Sequence, residues 1–183
     1  GIHRGNSTPV KVSRAPKRMN FIIVDGVYIT QFGLKNSRAL TEGVIRNGGA
    51  GDEFLIMYSQ PLKGFKYLVG PTADKAELFA AVDKLFGGKD GINASASLGR
   101  LVACTPHACK FLDGYELRQN FRAFTRTLKN LKFALNTIRT PKSVFLISAG
   151  PNAQSFPGGA DAITYFDLLQ ESAQALSQGD ANL

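Results

Sequence analysis

The sequence predicts an α/β fold: a doubly wound, mostly parallel sheet flanked by helices, with one antiparallel edge strand. Three observations carry this expectation. The runs MNFIIVD (19–25), DEFLIMYS (52–59) and KSVFLISAG (142–150) are short and largely apolar without alternation, as strands covered on both faces are. The segments between them repeat apolar residues every three or four positions, the helical period. A further strand, FKYLVGPT (65–72), follows the second after only QPLKG, which is enough for a hairpin and too little for a parallel crossover.

The elements follow in order. Residues 1–17 form a basic flexible tail, and one domain spans 18–183. After the first strand, Leu34, Leu40, Val44 and Ile45 mark a helix to Asn47, stopped by the glycines at 48 and 49 through glycine C-cap chemistry. The hairpin comes next, then a helix from Asp74 to Phe86. Asp74 and Glu77 resemble a capping box, and Leu78, Val82, Leu85 and Phe86 share one face. GGKDG (87–91) ends that helix, and a short helix is expected between Ala94 and Pro106, with an insertion over about 99–113. The strongest period runs from 115 to 139. There Leu117, Phe121, Phe124, Leu128, Leu131, Leu135 and Ile138 form one apolar stripe, the face that packs on the sheet. The fourth strand and the loop PNAQSFPGG lead to a last helix over 161–178, with Ile163, Phe166, Leu169, Ala173 and Leu176 inward. The order is β-α-β-β-α-(α)-α-β-α. In such sheets ligands bind at the carboxyl ends of strands where the strand order reverses, which nominates Asp25 and Ser148–Gly150.

The chain has 183 residues and a formal charge of +8, so its partner is expected to be acidic: a protein, nucleic acid or an anionic lipid surface. Basic residues gather at Arg4, Lys11, Arg14, Lys17 and Arg18. They recur on the long helix at Arg118, Arg122, Arg126, Lys129 and Lys132, off its apolar stripe. The plainer reading is a solvated surface plus a loose tail, since no arginine-rich block with interleaved aromatics makes a nucleic-acid motif. No apolar run approaches the length of a transmembrane segment. The basic start lacks the apolar core of a signal peptide. Because the first residue is Gly1, the expectation is a trimmed or processed fragment, with any export signal removed upstream. Cys104 and Cys109 flank Thr-Pro-His-Ala. With His3 in the tail and His107 as the other histidine, a four-ligand zinc site is not expected. A short disulfide and two free buried thiols both remain open.

These motifs, in this order, resemble a von Willebrand factor type A domain of the bacterial exported branch, a Rossmann-like sheet. FIIVDGVYIT (21–30) stands where that family ends its first strand in Asp-x-Ser-x-Ser. GAGDEFLIMYS and VGPTADKAELFAAVDKL resemble its second strand and its third strand with the following helix. GGKDGINASASL resembles its Gly-Gly-Thr-Asn loop, and TPKSVFLISAGP its fourth strand, which ends in Thr/Ser-Asp-Gly. The resemblance covers about 20 to 180. It implies two further strands after the last helix, so the chain is expected to be truncated at that edge of the sheet.

In the resembled family these loops hold a divalent cation through hard oxygen ligands, and a partner's carboxylate completes the shell. Carried over by position, Asp25 is retained. Val27 and Ile29 occupy the serine positions, Ile92 beside Asn93 the threonine position, and Ala149 after Ser148 the third-loop aspartate. The expectation is a degenerate site with no metal and no cofactor, in which Asp25 accepts hydrogen bonds from Ser148 or Asn93. The functional expectation is a non-catalytic protein-interaction (adhesion or scaffolding) module in a larger assembly or parent polypeptide, outside the cytoplasm. Candidate contact surfaces are the loop face near Asp25, the insertion, the basic helix face and Phe156. The alternative is a PIN- or NYN-like magnesium-dependent nuclease, or a basic nucleic-acid-binding domain. Asp25, Glu42, Asp90 and Asp113 are the carboxylates a nuclease would use, yet two-metal chemistry needs them to converge, and the fourth strand ends without an acid.

Overall fold

The structure is a computed structural model. It describes residues 17–26, 29, 31–60, 63–87, 92, 104–105, 108–109, 114–148, 167, 170–174 and 181–182. Ten elements run along these residues: β1 (Arg18–Val24), α1 (Gln31–Asn47), β2 (Asp52–Gln60), β3 (Gly64–Thr72), α2 (Lys75–Gly87), β4 (Cys104–Thr105), β5 (Ala108–Cys109), α3 (Gly114–Asn136), β6 (Lys142–Ile147) and β7 (Ala181–Asn182). The main sheet has the order β3-β2-β1-β6-β7. β1 is parallel to both β2 and β6, β6 is parallel to β7, and β3 is antiparallel to β2. The predicted α/β class, the parallel centre and the antiparallel edge are therefore all present. The tail over 1–16 lies outside the described residues.

β1 is buried on both faces because helices cover both. On one face Ile22, Val24, Phe54, Ile56 and Tyr58 meet Ile45 of α1 and Leu78, Val82, Leu85 and Phe86 of α2. On the other, Met19, Phe21, Ile23 and Val144 meet Phe124, Leu128, Leu131 and Leu135 of α3. Phe65 of β3 extends this second layer with an edge-to-face contact on Phe124, ring centroids 5.8 Å apart, a favoured aromatic geometry.

Asp74 caps α2. Its Oδ1 accepts from the N–H groups of Ala76 at 2.8 Å and Glu77 at 3.4 Å, two of the donors that a helix start leaves without intrahelical partners. The reciprocal half of the expected capping box is supplied differently, since the N–H of Asp74 donates to Thr72 Oγ1 at 3.1 Å. At the end of α1, Lys75 Nζ donates to the carbonyls of Arg46 at 3.0 Å and Gly48 at 3.3 Å. A cation there opposes the negative end of the helix dipole. Gly70, at φ 106°, lies where the β2–β3 register shifts between Phe54 and Ile56. A Cβ at Gly70 would stand 2.1 Å from the carbonyl of Phe54, so the bulge requires glycine.

Several expectations need correction. Leu40 is 60% exposed: the inward line of α1 is Ser37, Thr41 and Ile45 at four-residue spacing, and Thr41 is tolerated there because its hydroxyl donates to Ser37 O at 2.7 Å. α3 stops at Asn136 rather than 139, with Thr137 and Ile138 donating to Ala134 and Leu135 in tightened turns. Cys104–Thr105 is a strand, not the end of a helix, and residues 94–103 lie outside the described residues. Of the last helix, residues 170–174 are helical with Ser172 buried and Ala173 exposed, so Ala173 is not on its inward face.

The sheet also does not end at β6. β7 pairs with it, though only opposite Lys142 and Ser143. Beyond that pair the outer edge of β6 has no strand among the described residues. Phe145 and Leu146 are accordingly 36% and 37% exposed, where the apolar run predicted burial.

Candidate functional site

The chain builds outward from β1 through β2 to β3, then returns to the opposite side of β1 with β6. The strand order thus reverses at β1, and the carboxyl ends of β1 and β6 frame the crevice where open α/β sheets bind ligands. Asp25 follows Val24 at this point, and its N–H donates to Ile147 O at 2.8 Å, which pins it to the end of β6.

The Asp25 side chain is wholly buried. Ser59, one residue before the end of β2, donates its hydroxyl to Asp25 Oδ1 at 3.0 Å. Ser148, just past β6, donates its hydroxyl to Oδ2. The Gly26 N–H donates to Ser59 Oγ at 3.0 Å, so Ser59 passes one proton forward and accepts another, the full use of a hydroxyl with one donor. Three adjacent strand ends are thereby tied to one carboxylate. Removing such a group from water is costly unless donors replace the water, and a hydrogen bond to a charged group contributes roughly 1.5–3 kcal/mol. Gly26 is required by the same packing, because a Cβ there would lie 2.4 Å from the carbonyl of Ser59.

Ile29 and Ile92 are buried in the layer under α1 and α2. The N–H of Ile92 donates to Leu85 O at 2.8 Å, which ties Ile92 to the last turn of α2. Val27, Asn93 and Ala149 lie outside the described residues, as do Asp90, Asp113 and the Phe156 loop. Sequence reasoning named Asp25 and Ser148 but missed Ser59. The available signal was a lone hydroxyl near the carboxyl end of a buried strand, next to a strand that ends in aspartate. Among the described residues, no three His, Cys, Asp or Glu side chains converge as a metal cluster would require.

The basic face of α3 is partly committed. Arg122 and Arg126 are exposed, Lys129 forms an ion pair with Glu171, and Lys132 is half-buried. The Arg118 side chain lies outside the described residues. Phe133, at 70% exposure, continues the line of Arg122, Arg126 and Lys129 along the helix. A second charged group lies on α1, away from the crevice. Glu42 accepts from Arg38 Nε at 2.9 Å and from an Arg46 guanidinium nitrogen at 2.7 Å, and Arg38 also pairs with Asp83 of α2. The hydrogen bond from Arg38, with the charges of both arginines, holds the Glu42 carboxyl below its ordinary range. The same hydrogen bond, with the charge of Asp83, raises Arg38. No helix of the described residues is long and apolar enough to cross a membrane.

No family model matches this sequence, and no curated protein matches it. Among solved structures the chain is similar to the crystal structure of the TFIIH p34 N-terminal domain, at 14% identity and a TM-score of 0.36, over 88% of this chain and 78% of that one.

Proposed function

We propose that this chain is a non-catalytic protein-interaction module of the von Willebrand factor type A kind, working outside the cytoplasm as part of a larger assembly, in which the carboxylate at the strand ends organises the loops instead of holding a metal. The observation that carries this reading is the burial of Asp25 with each carboxylate oxygen accepting a serine hydroxyl. A divalent cation of the magnesium type needs several oxygen ligands around it. Here the hydroxyls of Ser59 and Ser148 donate to the carboxylate itself. Ile29 and Ile92, where the resembled family places hydroxyls, are packed into the core and offer no side-chain oxygen. The contact surface we assign is the outer line of α3, where Arg122 and Arg126 flank the route to the exposed Phe133. An acidic protein surface with a pocket for one aromatic ring would complement it.

The test is a titration with Mg²⁺, Mn²⁺ and Ca²⁺ followed by calorimetry and thermal shift. The expected result is no binding below millimolar concentration and no rise in Tm. Tight binding that Asp25→Ala abolishes would overturn the reading. Magnesium-dependent cleavage of DNA or RNA, lost in the same variant, would replace it with a nuclease.

A further inference from the structure

Residues 104–109 read Cys-Thr-Pro-His-Ala-Cys. β4 and β5 pair antiparallel, with Thr105 opposite Ala108 and Cys104 opposite Cys109. Two residues separate the strands. In a ladder closed this tightly, the pair beside the turn exchanges backbone hydrogen bonds and the next pair out does not. Non-hydrogen-bonded partners have the closer backbones, with Cα atoms about 4.5 Å apart. Directly opposed residues also share a face of the ladder. A disulfide spans Cα separations of about 4.4–6.8 Å. Sequence spacing alone left a disulfide and two separate thiols as equal readings, and the register places the two cysteines at the position a cross-strand disulfide uses.

We propose that Cys104 and Cys109 form a reversible intrachain disulfide that clamps the β4–β5 hairpin. A hairpin of two residues per strand is held only marginally by its backbone pairing, and the disulfide clamps the pair that this register sets opposite each other. Oxidation proceeds by exchange with a small-molecule disulfide such as glutathione disulfide. One cysteine thiolate attacks a glutathione sulfur, forming a mixed disulfide and releasing one glutathione thiolate. The second cysteine thiolate then attacks the protein sulfur of the mixed disulfide, closing the Cys104–Cys109 bond and releasing the second glutathione. Two protein thiols are oxidised, one glutathione disulfide is reduced to two glutathiones, and the two protons finish on those thiols. The proposal is independent of the reading of the Asp25 crevice.

The experiment equilibrates the whole chain in glutathione redox buffers, quenches with acid, alkylates free thiols and maps peptides by mass. The expected product is an intrachain link lowering the mass by about 2 Da. Its effective thiol concentration should exceed that of the guanidinium-denatured chain by about tenfold or more, because the folded ladder holds the partners opposite each other. The register gives a sharper control. Combining Cys104→Ser with Thr105→Cys moves a thiol one residue along β4 and so to the other face of the ladder. That variant should lose about tenfold in effective concentration and collect mixed glutathione disulfides, although its cysteines are closer in sequence. Equal values for folded and denatured chain, ready closure in the shifted variant, or disulfide-linked dimers would each overturn the proposal. So would thiols that oxidise only after a chelator is added, which would mark a metal-held pair.

Discussion

The hydroxyl of Ser59 donates to Oδ1 of Asp25 across 3.0 Å, joining residues 34 positions apart. β2 and β1 run parallel in register, with Val24 opposite Tyr58, so the residues that follow each of them emerge side by side. The bond therefore depends on the sheet, while the loop after β1 depends on the bond through Gly26. Replacing Ser59 by alanine removes a donor from a buried carboxylate and an acceptor from a buried N–H. The expected loss is about 1–3 kcal/mol, or roughly 2–10 °C in Tm for a chain of this size. Ser148→Ala removes the donor on the other oxygen. Denaturant unfolding of both single variants and the double should give a coupling energy of about 0.5 kcal/mol or more, since the two share one partner. Strict additivity would mean that the hydroxyls do not act on the same group.

Two glycines separate packing from propensity. Gly26→Ala drives a methyl group to 2.4 Å from the backbone oxygen of Ser59, and a backbone atom can yield only by moving the strand. A loss of about 1–3 kcal/mol is expected, typical of overpacking. Gly43 lies in α1 with nothing within 4 Å of an added Cβ. Gly43→Ala should therefore raise stability by about 0.5–1 kcal/mol, the helix-propensity difference. Opposite signs in parallel thermal melts are the expected outcome.

The fold was legible because its strands are continuous apolar runs and α2 and α3 keep a clean period. All four of Leu78, Val82, Leu85 and Phe86 are buried as that period requires. α1 was harder to read. Its core line passes through Ser37 and Thr41, which count as polar in any periodicity, and Thr41 enters the core only because its hydroxyl bonds back along the helix. β6 misled in the opposite sense, because Phe145 and Leu146 are apolar yet flank an edge that β7 covers for only two residues. For the crevice, Asp25 and Ser148 could be picked out as strand ends. Ser59 carries a weaker signal, a hydroxyl near the carboxyl end of a buried strand, because the hydrogen bond that gives it a role needs the parallel register of β1 and β2, which no local pattern encodes.

Glu42 gives a signed pH dependence. Its folded carboxyl titrates below the ordinary range, chiefly through the hydrogen bond from Arg38. A carboxyl depressed by folding contributes stability that is present above its unfolded value and lost as pH falls through its folded one. The Tm difference between the native chain and Glu42→Gln should hold steady near neutral pH. It should shrink as pH drops below the ordinary glutamate range and vanish in stronger acid. Because the group lies at the surface, salt should also shrink the difference near neutral pH. A difference that grows in acid would mean that the arginines do not stabilise the charged form.

The outer line of α3 separates a contact surface from a merely solvated one. Arg122 and Arg126 are exposed, whereas Leu128 on the opposite side is buried under the sheet. Leu128→Ala should cost about 2–5 kcal/mol by leaving a cavity. Arg122→Glu with Arg126→Glu should leave stability within about 0.5 kcal/mol, as surface changes do. Each reversal removes two charges, so the pair lowers the formal +8 to +4. Lys35→Glu with Lys84→Glu makes the same change at exposed positions on α1 and α2, and serves as the control for bulk charge. On immobilised poly-glutamate, a contact surface on α3 predicts that the arginine pair elutes at clearly lower salt than the lysine pair, with Phe133→Ser shifting elution little because the probe carries no ring pocket. Equal elution of the two charge-reversed variants would show that the positive charge is spread over the whole surface and would remove α3 as the assigned face.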